Sequence, residues 1–331
     1  MRISVLFGGA SEERDVSIAS ATQVIAALRS RGHEVLAVDT AFGALSATDE
    51  QRILTESVAV APPTGTQLQA LPSTSATLRL PAAVGDSDLV FLALHGGSGE
   101  DGRIQALLEL AGLRYTGSGP LGSGLAMDKD VAKTLLRAAG VDTPDWVLAP
   151  IDADGVTRTL GFPTVVKPTA QGSTVGLSVV HGPDDLKSAI GHASQYGAVM
   201  VEKFVRGREL TVGVLDGRPL AVGEIMLPPD SAFSYEDKYQ PFAVREQFPA
   251  DVPAEVAESA RAAALRAHEA LRLDGYSRSD FRLDGDDRLW IIETNSLPGL
   301  TSTSLLPQSA AASGISYEDL CERICRLALN L

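Results

Sequence analysis

Apolar residues recur with two different periods along this chain, and the switches between them mark its elements. Arg2 to Phe7 is a short apolar run that stops at Gly8-Gly9, Val16 to Arg29 has helical spacing, and His33 to Asp39 reads as a second strand. This predicts a βαβ opening with a glycine turn at the carboxyl end of its first strand, a place where ligands are often held. The turn lacks the G-x-G-x-x-G spacing of a dinucleotide site. Residues 41 to 85 are rich in Ala, Thr, Ser and Pro and predict nothing regular. Asp88 to Leu94 is continuously apolar, as a buried parallel strand would be, and runs into His95-Gly96-Gly97 and Glu100-Asp101-Gly102 before a helix. The glycine-serine stretch Gly117 to Gly124 is the first candidate boundary.

Beyond it, Asp128 to Ala139 predicts a helix closed by Gly140, with Lys129 in its first turn, where a cation is disfavoured unless it meets an anion. Phe162 to Lys167 and Leu177 to Val180 predict strands around a Gly-Ser-Thr loop. A lysine at the end of a strand beside such a loop has the donors a polyphosphate needs, without being a P-loop. Val199 to Val205 and Glu209 to Leu215 predict two more strands. Residues 227 to 250 form a long, Pro-rich, aromatic stretch that reads as a cover over a site. Pro253 to Leu273 predicts a long helix, and Ser316 caps a last one. The fold class this implies is α/β, turning to α+β in the C-terminal half.

Residues 276 to 295 predict a hairpin around Asp284-Gly285-Asp286-Asp287. Alternation places Ser279, Phe281 and Leu283 with Trp290, Ile292 and Thr294 on a core face. Arg278, Asp280, Glu293 and Asn295 share the other face, and with all four loop residues unpaired Arg278 stands opposite Glu293. Two carboxylates and an amide gathered there suit a hard divalent cation such as Mg2+. A solvated, salt-bridged face is the plainer alternative. Against it stands the tight turn Asn295 to Gly299, which leaves the sheet where the acids end.

Composition narrows the partners. At 331 residues the chain is long for one core, and its net charge of −14 argues against nucleic acid. Any phosphate site must therefore concentrate its cations locally. No long apolar segment predicts a signal peptide or membrane span. The two cysteines, Cys321 and Cys325, lie four apart on the last helix and read as core residues in a reducing, cytoplasmic setting.

Assembled in order, these residues resemble the D-alanine-D-alanine ligase family of the ATP-grasp superfamily. The resemblance spans nearly the whole chain. It rests on Gly8-Gly9 through Ser17, His95-Gly96 with Gly99 to Gly102, Met127-Asp128-Lys129, Lys167-Pro168 with Gly172-Ser173, Glu202-Lys203, Lys238-Tyr239, Arg278 to Phe281, and Glu293-Thr294-Asn295 with Pro298-Gly299. It implies a three-domain ATP-grasp architecture: a Rossmann-like domain over 1–119, a central lid domain over 120–204, and a C-terminal domain over 205–331 with the metal site and the 227–250 loop. It also implies cytoplasmic joining of two D-alanines for peptidoglycan synthesis, with ATP and two Mg2+ ions (Mn2+ as a substitute), by a homodimer that needs neither nucleic acid nor membrane.

Residue by residue, Lys129 and Lys167 resemble the phosphate-binding lysines. Glu202, Phe204 and Val205 match the adenine segment, Glu209 the ribose-binding acid, and Asp280, Glu293 and Asn295 the metal ligands. Glu13 resembles the acid that holds the first substrate's ammonium. Ser304 and Leu305 match positions beside the second substrate's carboxylate, and Arg278 with the Gly299 N–H resembles the groups that stabilise the tetrahedral intermediate. Ser173 and Tyr239 match a hydrogen-bond network to Glu13, with His95 and Lys238 also at the substrates. Either that network, His95 or the phosphate takes the amine's proton. A tyrosine at 239, where ester-forming relatives carry histidine, points to an amine nucleophile. The segment Gln240 to Val244 departs from the family, which usually has a threonine where Val244 stands. The rival readings are a relative joining another pair, such as D-alanine with D-serine, and a catalytically dead nucleotide-binding protein.

Overall fold

A computed structural model describes residues 1–54, 63–71, 80–226 and 245–331, which form three sheets in chain order. In the first, the strands β1 (Arg2–Phe7), β2 (Glu34–Asp39), β3 (Gly43–Ala44) and β4 (Leu89–Leu92) are ordered β3-β2-β1-β4, with β1 parallel to both β2 and β4. The strand order reverses at β1, so a crevice opens at the carboxyl ends of β1 and β4. Gly8-Gly9 and His95-Gly96 lie there, and Gly8, Gly9 and Gly96 have φ of 73°, 82° and 69°, which glycine adopts at little cost. The helix Arg14–Ser30 buries Ile18, Val24, Ile25 and Leu28 against this sheet. The last helix, Tyr317–Leu329, buries Leu320, Cys321, Ile324 and Cys325 in the same core, as expected for the two thiols.

The second sheet is antiparallel, ordered β5-β8-β6-β7 from β5 (Trp146–Leu148), β6 (Thr164–Pro168), β7 (Ser178–Val180) and β8 (Val199–Lys203). Its core is small: Val166, Val180 and Val201 meet Leu186 and Ala193 of the helix Pro183–Ala193.

The third sheet comprises β9 (Arg208–Leu215), β10 (Arg218–Met226), β11 (Arg245–Gln247), β12 (Tyr276–Leu283) and β13 (Leu289–Asn295), antiparallel in the order β11-β10-β9-β12-β13. The helix Ala254–Ala270 covers one face through Val256, Ala260, Ala264 and Ala267. The helix Lys129–Ala138, which precedes the second sheet in the chain, packs Ala132 and Leu136 into this third core. Beside it the stretch expected as a glycine-serine boundary is the helix Pro120–Met127, with proline at its first turn. A Cβ on Gly122 of that helix would lie 2.5 Å from the Arg272 carbonyl oxygen, so glycine there permits a close approach of two backbones.

The hairpin forms with a different register. Arg278 pairs with Asn295 and Asp280 with Glu293, but Phe281 pairs with Ile291, so Ile292 is an extra, bulged residue. Ile291, not Ile292, is buried beside Phe281. Trp290 also leaves the expected core face: it stands opposite Arg282, donates its indole N–H to Asp284 (2.7 Å) and stacks under Arg288. Thr294 is buried as expected, hydrogen-bonded to Ser279 at 3.0 Å. The bulge keeps the acids on the open face while the core strand pairing continues past them.

Candidate active site

On the open face of β12 and β13 the Asp280 carboxylate is held from three sides. Arg278 donates to it through Nε (2.9 Å) and a terminal nitrogen (2.8 Å), Thr211 of β9 through its hydroxyl (2.8 Å), and Asn295 through its amide (3.2 Å). Glu293 lies 3.5 Å from the Lys129 ammonium. Two carboxylates and an amide oxygen therefore share one patch, an all-oxygen donor set fitted to Mg2+ provided that phosphate and water complete the shell. Among the described residues no group of three His, Cys, Asp or Glu side chains could hold a metal on its own.

From this patch a cleft opens between the second and third sheets, enclosing about 840 Å3 of open space including its mouth. Lys129, Lys167, Glu202, Phe204, Val205 and Glu209 all line it, together with Asp280 and Glu293. The bulged Ile292 supplies part of its apolar wall. Glu209 is paired with Arg282 (3.1 Å), and the Arg282 guanidinium lies over the Phe204 ring.

Deep in the cleft Glu202 is clamped by two lysines, with Lys167 Nζ 2.9 Å from one oxygen and Lys133 Nζ 2.5 Å from the other. Burial alone would raise the Glu202 pKa, but the two ammonium groups outweigh it and hold the carboxyl below its usual range. Burial lowers Lys133 to about 8 despite its pairing with Glu202. Sequence patterns do not single out Lys133. Its one signal is its place four residues after Lys129, which puts both on one helix face.

A second cavity adjoins the cleft, and Gly172 and Glu293 line both. Its walls hold Glu13, His95, Ser173, Arg278, Asn295, Gly299, Ser304 and Leu305, so residues far apart in the chain meet there. The loop after β6 crosses to the first sheet here: the Ser173 hydroxyl donates to the Glu13 carboxylate, and the Lys129 ammonium donates to the Gln171 carbonyl at 2.5 Å. The bend requires positive φ at two consecutive side-chain-bearing residues, Ser173 (46°) and Thr174 (60°). A Cβ on Gly172 would come within 2.7 Å of a Glu13 oxygen, so a side chain there would have to displace that carboxylate.

His95 is buried with both ring nitrogens engaged: Nδ1 donates to the Leu297 carbonyl at 3.2 Å, and Nε2 meets the Ser20 hydroxyl at 2.9 Å. Glu100, 3.7 Å from His95, also faces the cavity. Burial pushes its carboxyl up, the nearby His95 opposes this, and the charge of Glu13 adds to the rise. Ser304 is the N-cap of the helix Leu305–Ala312, and it lines the cavity together with Leu305. Lys238, Tyr239 and the segment Gln240 to Val244 lie outside the described residues, as does most of the expected 227–250 loop.

Family models described as the D-ala D-ala ligase N-terminus and C-terminus match residues 2–118 and 135–326. The chain belongs to the D-alanine-D-alanine ligase family. It is 40% identical over 332 residues to the D-alanine-D-alanine ligase of Gluconobacter oxydans, covering 99% of each chain, and 41% identical over 322 residues to that of Acidiphilium cryptum, covering 97% and 96%. Among solved structures of the ligase family, the Bacillus anthracis enzyme complexed with ATP superposes with a TM-score of 0.77 at 31% identity, covering 100% of this chain and 98% of that one. The VanG D-Ala:D-Ser ligase of Enterococcus faecalis gives 0.80 at 27% identity, covering 99% of both. The fold is accordingly the ATP-grasp fold of this ligase family, and the chain is a ligase. Among the described residues no helix is long and apolar enough to cross a membrane.

Proposed function

We propose that this ligase joins two D-alanines at the expense of ATP, through a D-alanyl phosphate, to supply D-alanyl-D-alanine for peptidoglycan. The observation that carries the reading is the pair of adjoining cavities sharing Glu293 and Gly172, one bounded by lysines and the other by Glu13 and Arg278.

ATP occupies the cleft in this reading. Its adenine lies along Glu202, Phe204 and Val205, its ribose at Glu209, and its phosphates at Lys129 and Lys167. Asp280, Glu293 and Asn295 hold two Mg2+ ions, with Mn2+ as a substitute. Bound metal would neutralise charge on the phosphates. Phosphoryl transfer asks the protein chiefly for alignment and charge. Glu13, oriented by Ser173, holds the ammonium of the first D-alanine, with His95 beside the substrates. A carboxylate oxygen of that substrate attacks the γ-phosphorus and ADP leaves.

The second D-alanine sets its carboxylate at Ser304 and the Leu305 N–H, where a helix N-terminus favours an anion. Its amine, having lost a proton, attacks the acyl carbon. The oxyanion is met by Arg278, which Asp280 fixes in place, and by the Gly299 N–H. Inorganic phosphate then departs. With both nitrogens of His95 engaged inside the fold, the better acceptors for the amine proton are the Ser173-Tyr239 network and the phosphate.

The segments 1–119, 120–204 and 205–331 serve as the three domains, with packing that crosses both boundaries. The enzyme works in the cytoplasm as a homodimer. Incubation with D-alanine, ATP and Mg2+ should release one ADP and one phosphate per dipeptide, read by coupled assay and mass spectrometry. ATP turnover indifferent to D-alanine would overturn the reading.

A further inference from the structure

The substrate cavity has one wall residue that the reaction above does not use. Glu246, the middle residue of β11, faces that cavity beside Arg278, Ser304 and Leu305. Ile225, opposite it on β10, packs with Leu305 and Phe248 in a small apolar cluster that a leucine at 246 would extend. An acid there costs desolvation, and burial does push its carboxyl pKa up, with a hydrogen bond from Gln308 and the charge of Arg278 opposing the rise.

Gln308 makes the acid tenable on one side only. Its amide nitrogen donates to Glu246 Oε2 and also to the Thr303 carbonyl at 2.6 Å. Glu246 Oε1 has no hydrogen-bond partner among the described residues. Glu246 is half-buried and lines the cavity, so a donor on a ligand there could meet that oxygen.

We propose that Glu246 is a specificity-determining residue for the second substrate, offering an acceptor that selects an amino acid with a hydroxyl-bearing side chain over one of the same size that is purely aliphatic. This rests on the ligase reading, which seats the second substrate's carboxylate at Ser304 and Leu305, on the same wall as Glu246. An aliphatic pocket discriminates poorly between a methyl and a hydroxyl of equal size, whereas a pocket built around a hydrogen bond rejects the analogue that cannot make it.

D-serine and D-2-aminobutyrate differ in just this way. Supplied to the whole enzyme at equal concentration with D-alanine, ATP and Mg2+, they should give D-alanyl-D-serine over D-alanyl-D-2-aminobutyrate by at least about tenfold, read by mass spectrometry. Glu246→Gln, which keeps a carbonyl acceptor, should preserve the preference, and Glu246→Leu should bring the ratio to about one or below. A wild-type ratio near one, or a ratio unchanged by Glu246→Leu, would overturn the proposal. The wild-type ratio decides the matter even where the leucine variant fails to fold. Loss of all dipeptide synthesis from D-alanine by the wild type would instead overturn the ligase reading itself.

Discussion

At the nucleotide end of the site Lys129, Lys133 and Lys167 are gathered around Glu202 and Glu293. At the substrate end Glu13, Glu100 and Glu246 line a cavity in which, among the described residues, Arg278 is the cation. One end is a local reserve of positive charge in a chain of net charge −14, and the other concentrates acid that burial disfavours. Each matches the charge it would receive, polyphosphate on one side and an ammonium or amine on the other. The difference is also energetic. The clamp on Glu202 pairs its charges within the fold, whereas Glu100 and Glu246 keep raised pKa values, the usual mark of groups held for a ligand rather than for stability.

The largest effect should come from breaking the clamp. Glu202→Gln would leave Lys133 and Lys167 buried without their counter-charge and cost about 3–5 kcal/mol in urea denaturation, as expected when one partner of a buried pair is lost. A loss under about 1 kcal/mol would mean that water reaches the clamp. Next, Arg278→Ala should reduce kcat by about a hundredfold or more, the scale of losing an oxyanion donor, with a much smaller effect on the KM for ATP. Equal effects on both would return Arg278 to a structural role.

The smallest effect tests the other end. Glu100 has a folded pKa above its unfolded value, so its favourable contribution is complete below the unfolded value near 4.5 and is lost as pH rises through the folded value. Glu100→Gln should therefore gain stability relative to wild type as pH rises from 4 to 8, and lose the gain below about 4.5. Melting curves across that range check it, and a gain independent of pH would contradict the origin assigned here.

Much of this was legible in the sequence because the site's backbone is built from strong local signals. Gly8-Gly9, the loop around Gly172 and the two-sided hairpin all announce where chain and ligand meet. What escaped depends on one-residue geometry or on distant neighbours. The bulge at Ile292 reverses two side chains, and no pattern of alternation marks it. β10 could have been found from Asp216-Gly217, whose φ of 54° and 63° make the tight hairpin turn this pair favours. Lys133 and Glu246 look like ordinary surface charges in sequence, and only the partners folded over them, Glu202 and Gln308, show that they face inward.

The last helix has a further consequence for synthesis. Cys321, Ile324 and Cys325 complete the core begun by Ile3, Val5 and Phe7, so those strands lack their cover until the last helix has been made. At roughly 5–20 residues per second that interval is on the order of tens of seconds. During it the nascent first sheet exposes an apolar face to chaperones, and premature termination near Ser316 would strand the opening of the chain rather than its end.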